Sequence, residues 1–200
     1  MDLSLYQGII FDMDGTLVDS MPAHIKAWQH TCHDFGLPFE HDWFYSMGGS
    51  PTINTAIALL NKHEIDADPQ LLVMSKLRHF DEIKHKGDII PATFAVLQQQ
   101  KNVNKHIAVG TGCYRHHALD ILTTLGIFPL LDAVVTANDV QRHKPLPDTF
   151  IEAARLLDVP TAQCVVFEDT ELGCQAAYAA GMDCYRVRDG VICEFIAFKS

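Results

Sequence analysis

Residues 9–20 read IIFDMDGTLVDS. With Gly8, the residues Ile9, Ile10 and Phe11 make a short, unbroken apolar run, the pattern of a strand buried on both faces. The run ends in two carboxylates one residue apart, Asp12 and Asp14, followed by Gly15 and Thr16. Unpaired charge at the end of an interior strand is costly. The acids therefore either meet a cation or stand in a cleft whose chemistry uses them.

The next stretch, roughly 20–88, has helical texture and no convincing strand. Ser20 is placed to cap a helix with Pro22 in its first turn; Ile25, Trp28, Cys32 and Phe35 follow at helical spacing and Gly36 ends it. Ser50-Pro51 opens a second helix with Ile53, Ile57 and Leu60 on one face. Asp68-Pro69 opens a third, carrying Leu72, Leu77 and Phe80. From Pro91 helices and strands alternate: helix 93–100, strand 106–109, helix 115–125, strand 133–136, helix 148–157, strand 164–167, helix 172–180 and strand 184–187. Such alternation implies βαβ units, right-handed crossovers and a parallel sheet. The expected fold is α/β: a Rossmann-like parallel sheet with helices on both faces. Its core is built from residues 1–19 and 89–200, and a helical cap of residues 20–88 is inserted after the first strand.

Composition narrows the function. The chain of 200 residues carries 15 basic and 25 acidic side chains, a net charge of −10. That field repels nucleic acid and anionic membranes, so neither is expected as a partner. No apolar run approaches the roughly 20 residues of a membrane helix, and the opening MDLSLYQG lacks the basic and apolar regions of a secretion signal. The six cysteines form no CxxC pair and read as reduced, mostly buried thiols of a cytoplasmic protein. A monomer is the default expectation.

In open α/β sheets, ligands sit beyond the carboxyl ends of the strands. Asp12, Asp14 and Thr16 follow the first strand, and Gly110-Thr111-Gly112 follows the strand at 106–109. Lys144 lies in ANDVQRHKPLPDTF after the strand at 133–136, and Glu168-Asp169 follows the strand at 164–167. Singly, each has an ordinary explanation: a turn acid, a helix cap, a solvated loop lysine. Together those explanations give no reason for four segments to place acids, a hydroxyl and a lysine on one edge. The chemistry that does is a site for Mg²⁺ and phosphate. Clustered carboxylates need a hard cation with oxygen ligands, and the cation with Lys144 reverses the local negative field so that a phosphate can enter.

These residues resemble the four motifs of the haloacid dehalogenase superfamily of phosphotransferases, in order. DxDxT is Asp12-Met13-Asp14-Gly15-Thr16; the hydroxyl motif is Thr111; the lysine motif is Lys144; the acidic motif is Glu168-Asp169, with Gly173 following. The likeness covers nearly the whole chain, including a small helical cap after the first motif. It implies that Asp12 is a nucleophile forming an aspartyl-phosphate. It implies that Asp14 is the general acid, then the base, and that Thr111 and Lys144 stabilise the transferring phosphoryl group. Asp12, the backbone carbonyl of Asp14 and Asp169 are implied Mg²⁺ ligands, with Glu168 adjacent or water-bridged. Dehalogenases and phosphonatases of the superfamily lack the acid at the position of Asp14, so phosphate esters are the implied substrates. Thr16 and Gly112, together with His24 and Lys76 from the cap, are candidate substrate-binding residues, and the expected partner is a small phosphorylated metabolite.

Within the superfamily the sequence looks most like fructose-1-phosphate and 6-phosphogluconate phosphatases and β-phosphoglucomutase; DGTLVDSMPAHIKAW, GTG and CVVFED point to the phosphatases. The mutase carries a phosphate-gripping Arg in a G-x-S-R segment, where this chain reads GGSPT with Pro51 and Thr52. It also carries a Ser-Lys pair after its hydroxyl motif, where this chain has Gly112-Cys113-Tyr114. A phosphatase is therefore the favoured reading, with the mutase as the alternative. A signalling receiver module, which also binds Mg²⁺ beside a phosphorylated Asp, is a remote one. It lacks a helical insertion after its first strand and places its acceptor on a later strand.

Overall fold

The structure, a computed structural model, describes residues 1–198. Two compact units partition the chain: Met1–Asp19 with the segment from Asp88 onward, and Ser20–Gly87. The first unit is built on β1 (Gly8–Phe11) and begins its outward path at β2 (Val18–Asp19). The inserted unit is helical: α1 (Met21–Phe35), α2 (His41–Ser46), α3 (Thr52–Lys62) and α4 (Pro69–Glu82). The chain then continues as β3 (Asp88–Ile89), α5 (Pro91–Asn102), β4 (His106–Gly110), α6 (Arg115–Thr124), β5 (Ala133–Val135), α7 (Asp148–Leu157), β6 (Cys164–Glu168), α8 (Glu171–Ala179), β7 (Asp183–Arg188) and β8 (Val191–Ile196).

The main sheet has the order β5-β4-β1-β6-β7-β8. β1 lies between β4 and β6, parallel to both, with Phe11 level with Val109 on one side and Phe167 on the other. Having neighbours on both sides and helices over both faces accounts for the wholly buried Ile9, Ile10 and Phe11. Side chains alternate along the strands. Ile10, Ala108 and Val166 join Phe150, Ala153, Ala176 and Ala177 of α7 and α8 in one cluster. The opposite face carries an aromatic row: Phe11 stacks on Phe167 at 4.9 Å, Phe167 on Tyr185 at 5.2 Å, and Tyr185 meets Phe195 at 4.9 Å.

One edge departs from the all-parallel expectation. β8 pairs antiparallel with β7. The connection is Asp189-Gly190, both at positive φ (49° and 73°), the Asp-Gly signal of a two-residue hairpin. β8 went unanticipated because VICEFI is mostly exposed and lacks strict alternation. A small antiparallel pairing, Val18 with Ile89 and Asp19 with Asp88, ties the two crossings of the chain between the units.

In the inserted unit one residue of an expected helix face, Ile57, and one whole helix differ from the sequence reading. α3 buries Ala56, Leu59 and Leu60, while Ile57 is 41% exposed. α2 has only six residues and no side-chain cap, too little for periodicity to reveal. It nonetheless supplies Phe44, which stacks on Trp28 at 5.2 Å and on Phe39 at 5.3 Å and takes the edge of Trp43 at 4.8 Å. Around these rings Met21, Ile25, Cys32, Leu72 and Val73 complete the unit's own core. Every cysteine is a free thiol, and all but Cys193 are buried. No described helix is long and apolar enough to cross a membrane.

Candidate active site

Sheet register assembles the site. Because Phe11 and Phe167 are level, the residues that follow them, Asp12 and Glu168, leave adjacent strand ends side by side. The amide of Asp12 still donates to the Phe167 carbonyl at 2.9 Å. Beyond Asp12 the chain turns tightly, with Gly15 N–H donating to Val18 O and Val18 N–H to Met13 O. Gly15 has a φ of 88°, and a Cβ there would overlap the Asp169 carboxylate. No other residue meets both conditions.

Lys144 is the hub. Its ammonium donates to Asp12 Oδ1 at 2.6 Å and to Glu168 Oε1 at 2.7 Å, and it lies 4.7 Å from the centre of the Phe150 ring. The three side chains are 2%, 5% and 0% exposed. The loop bearing Lys144 is anchored at both ends. Asp139 accepts from the backbone and hydroxyl of Thr136 at 2.8 and 2.6 Å and from Arg115 at 2.6 Å. Arg142 makes a two-pronged pair with Asp148 at 2.9 and 2.8 Å.

Asp12, Glu168 and Asp169 each offer a carboxylate oxygen within 4.8 Å of the others. Thr16 donates to Asp169 Oδ1 at 3.2 Å. Asp14, half-buried, stands with Oδ2 3.4 Å from the Thr111 hydroxyl, which also accepts the Cys113 amide at 3.0 Å. Gly112 is half-buried in that turn. The core residues singled out from the sequence thus converge, with Asp14 and Thr111 beside each other and Asp12, Lys144, Glu168 and Asp169 in one cluster. His24 and Lys76 meet within the inserted unit: Lys76 Nζ is 2.9 Å from His24 Nδ1 and 4.5 Å from the centre of Phe80, on whose ring His24 also stacks.

The electrostatics bear on which ion the cluster suits. Burial pushes the Asp12 carboxyl well above the ordinary range against the pull of Lys144, and Glu168, Asp169 and Asp14 raise it further. Burial and then Glu168 push Asp169 up to about 7. Lys144 moves the other way from a typical buried amine: burial favours its loss of charge, but Asp12 and Glu168 outweigh it and hold the proton on. One ammonium thus faces four acids, and this surplus negative charge adds to burial in raising Asp12 and Asp169. A hard, oxygen-seeking cation fits this donor set and removes that surplus. Asp12 and Asp169 are the better-placed ligands, because both oxygens of Glu168 already accept hydrogen bonds: Oε1 from Lys144, Oε2 from the backbone and hydroxyl of Thr170.

Four further residues shape the site without having been singled out for it. Phe150 lies by the ammonium, the Arg142–Asp148 pair closes the lysine loop, and Thr170 holds Glu168 and caps α8 through the Gly173 amide at 3.0 Å. A hydroxyl following two acids, with Gly three residues on, is a helix-start signal that the sequence did carry.

With the geometry in place, the chain can be set beside known proteins. It is 39% identical over 183 residues to the fructose-1-phosphate phosphatase YqaB of Escherichia coli K12, covering 92% of this chain and 97% of that protein. It is 31% identical over 192 residues to the β-phosphoglucomutase of Bacillus subtilis 168, covering 92% and 84%. The crystal structure of β-phosphoglucomutase from Clostridium difficile shares the fold, with a TM-score of 0.82 at 24% identity over 92% of this chain and 85% of that one. A family model of haloacid dehalogenase-like hydrolases matches residues 9–187. The strand-end acids, the buried lysine and this match over most of the chain lead to one conclusion: the chain belongs to the haloacid dehalogenase-like hydrolase family.

Proposed function

We propose that this enzyme is a Mg²⁺-dependent phosphatase of small phosphate monoesters, sugar phosphates such as fructose 1-phosphate or 6-phosphogluconate, acting through an aspartyl-phosphate on Asp12. The observation that carries this reading is the pairing of a buried, lysine-held carboxylate with a second acid two residues on that is half-open beside Thr111. The two acids have different surroundings and so suit different tasks. Mg²⁺, held by Asp12 and Asp169, would neutralise charge on the phosphoryl oxygens.

Asp12 attacks phosphorus, forming its O–P bond as the ester P–O bond breaks. Asp14 gives its proton to the departing alkoxide. A water then attacks the aspartyl-phosphate, Asp14 takes back a proton, and the bond to Asp12 breaks to release phosphate. Lys144 and Thr111 hold the phosphoryl oxygens throughout, where positioning and charge neutralisation supply most of the rate. The inserted unit, with His24 and Lys76, chooses the sugar, and Thr16 and Gly112 complete the phosphate pocket. The partner is a small phosphorylated metabolite rather than nucleic acid or membrane, for a monomeric protein whose free thiols suit the cytoplasm.

The test is a phosphate-release screen across sugar phosphates, phosphogluconate and nucleotides, with wild type and Asp12→Asn. The variant should keep its circular dichroism and lose turnover by at least about 10⁴-fold. Chelating the metal should silence the wild type. Full activity in the Asp12→Asn variant sinks the reading. The mutase is the second reading, favoured by the Bacillus relative. Against it, Pro51 and Thr52 serve to start α3 and bring no cation for a second phosphate. Conversion of β-glucose 1-phosphate to glucose 6-phosphate that depends on glucose 1,6-bisphosphate would reinstate it.

A further inference from the structure

Glu168 is wholly buried at the end of β6, and each of its oxygens has its own donors. Oε2 accepts the Thr170 amide at 2.6 Å and the Thr170 hydroxyl at 2.8 Å, and Oε1 accepts Lys144 at 2.7 Å. The Thr170 hydroxyl is itself fixed, because it accepts the Gly173 amide as the N-cap of α8. A hydroxyl has one proton, and here that proton goes to Glu168 while a lone pair serves the helix. Gly173 leaves the room: a Cβ there would overlap the Glu168 carboxylate, which lies over the first turn of α8.

We propose that Thr170 is a positioning residue of the active site. By holding Oε2 it turns Oε1 toward Lys144, and so sets where the ammonium stands on Asp12, 2.6 Å away. The first turn of α8 thereby indexes the catalytic lysine through one carboxylate. Glu168 in this arrangement is a seat for Lys144, which leaves Asp12 and Asp169 as the acids that would hold a cation. This inference rests on the phosphatase reading of the site.

Cap and donor roles can be separated. Thr170→Val removes both. Thr170→Asp keeps a strong N-cap but, as a carboxylate, has no proton to give Glu168. Thr170→Ser keeps both. Displacing a catalytic group by about 1 Å costs on the order of 10²-fold, so kcat should fall about that much in the Val and Asp variants, with KM changed less than about threefold. Thr170→Ser should stay within about threefold of wild type. In a Glu168→Gln background, where the seat is already lost, Thr170→Val should cost less than about twofold more, the mark of residues acting as one unit. A control that removes a different cap, Asp68→Ala at the start of α4, should lower Tm with kcat unchanged. Wild-type kcat in either Thr170→Val or Thr170→Asp, or full multiplicative loss in the double variant, overturns the proposal. Turnover by Asp12→Asn is a separate outcome that removes the phosphatase reading beneath it.

Discussion

Each unit of the molecule has a buried lysine, Lys144 at 3% exposure and Lys76 at 2%, and the two have different described neighbours. In the α/β core Lys144 is pinned by two carboxylates, on strand ends whose register leaves them no latitude. In the inserted unit Lys76 meets an imidazole and the face of Phe80. Two ion pairs of that unit lie at its surface: Arg78–Asp34 has side chains 60% and 35% exposed, and Lys62–Glu40 32% and 52%. Such pairs contribute roughly 0–1 kcal/mol. Chemistry needs charge locked in place without water, and the core supplies it by backbone pairing that sets the two acids side by side. An aromatic-centred helical unit whose described Lys and Arg ion pairs lie at its surface can change those side chains without touching that lock.

The comparison breaks first at Lys144. Lys144→Met leaves Asp12 and Glu168 buried without their ammonium. Urea denaturation at neutral pH without divalent cation should show a loss of about 3–5 kcal/mol, and turnover should fall to background. A loss below about 1 kcal/mol would put this pair in the same class as the surface pairs and erase the contrast. A smaller effect is expected at the other lysine. Lys76→Ala should raise KM for sugar phosphates about tenfold, the worth of a charge-assisted hydrogen bond of roughly 1.5 kcal/mol. Its kcat should hold within about threefold, as should KM for a simple aryl phosphate. A fall in kcat with unchanged KM would instead give the inserted unit a part in the chemistry.

The smallest effect concerns acid stability. Burial opposes ionisation of Asp139, but the Thr136 donors and the Arg115 guanidinium outweigh it and hold its carboxyl below the ordinary 3.8. A carboxyl depressed by folding contributes stability above its unfolded pKa and loses it as pH falls through the folded one. Urea midpoints measured from pH 7 down to about pH 3 should therefore fall less steeply in Asp139→Asn than in wild type below about pH 4. Parallel curves would mean that this anchor of the lysine loop contributes nothing through its charge.

The core was the legible region. Gly8–Phe11 and the strand beginning at Cys164 are unbroken apolar runs, and the acids after them stand out because interior strands do not end in charge without cause. Convergence on one edge follows from the parallel topology. What the residues alone did not disclose is pairing. That Lys144 bridges Asp12 and Glu168 depends on Phe11 lying level with Phe167, a long-range register that no local pattern encodes. Thr170 was not among the residues singled out, although its spacing to Gly173 carries a cap signal. The inserted unit was less legible. On α3 Ile53 and Leu60 join the packing around Phe44 as their spacing implies, but Ile57 outweighs its small neighbour Ala56 in hydrophobicity, and it is Ala56 that the core buries. At β8 the Asp189-Gly190 turn was in plain view, but an edge strand with exposed side chains lacks the apolar run that would have confirmed it.

The aromatic centre of the inserted unit also has an optical consequence. The chain has two tryptophans, Trp28 and Trp43. Both belong to that unit and both touch Phe44, while the core carries none. Tryptophan emission is therefore a private channel to the helical unit, and the core carries four of the chain's five tyrosines, Tyr185 in the row across its sheet among them. A single unlabelled sample can thus show, at two wavelengths, whether the two units lose their structure together or one before the other.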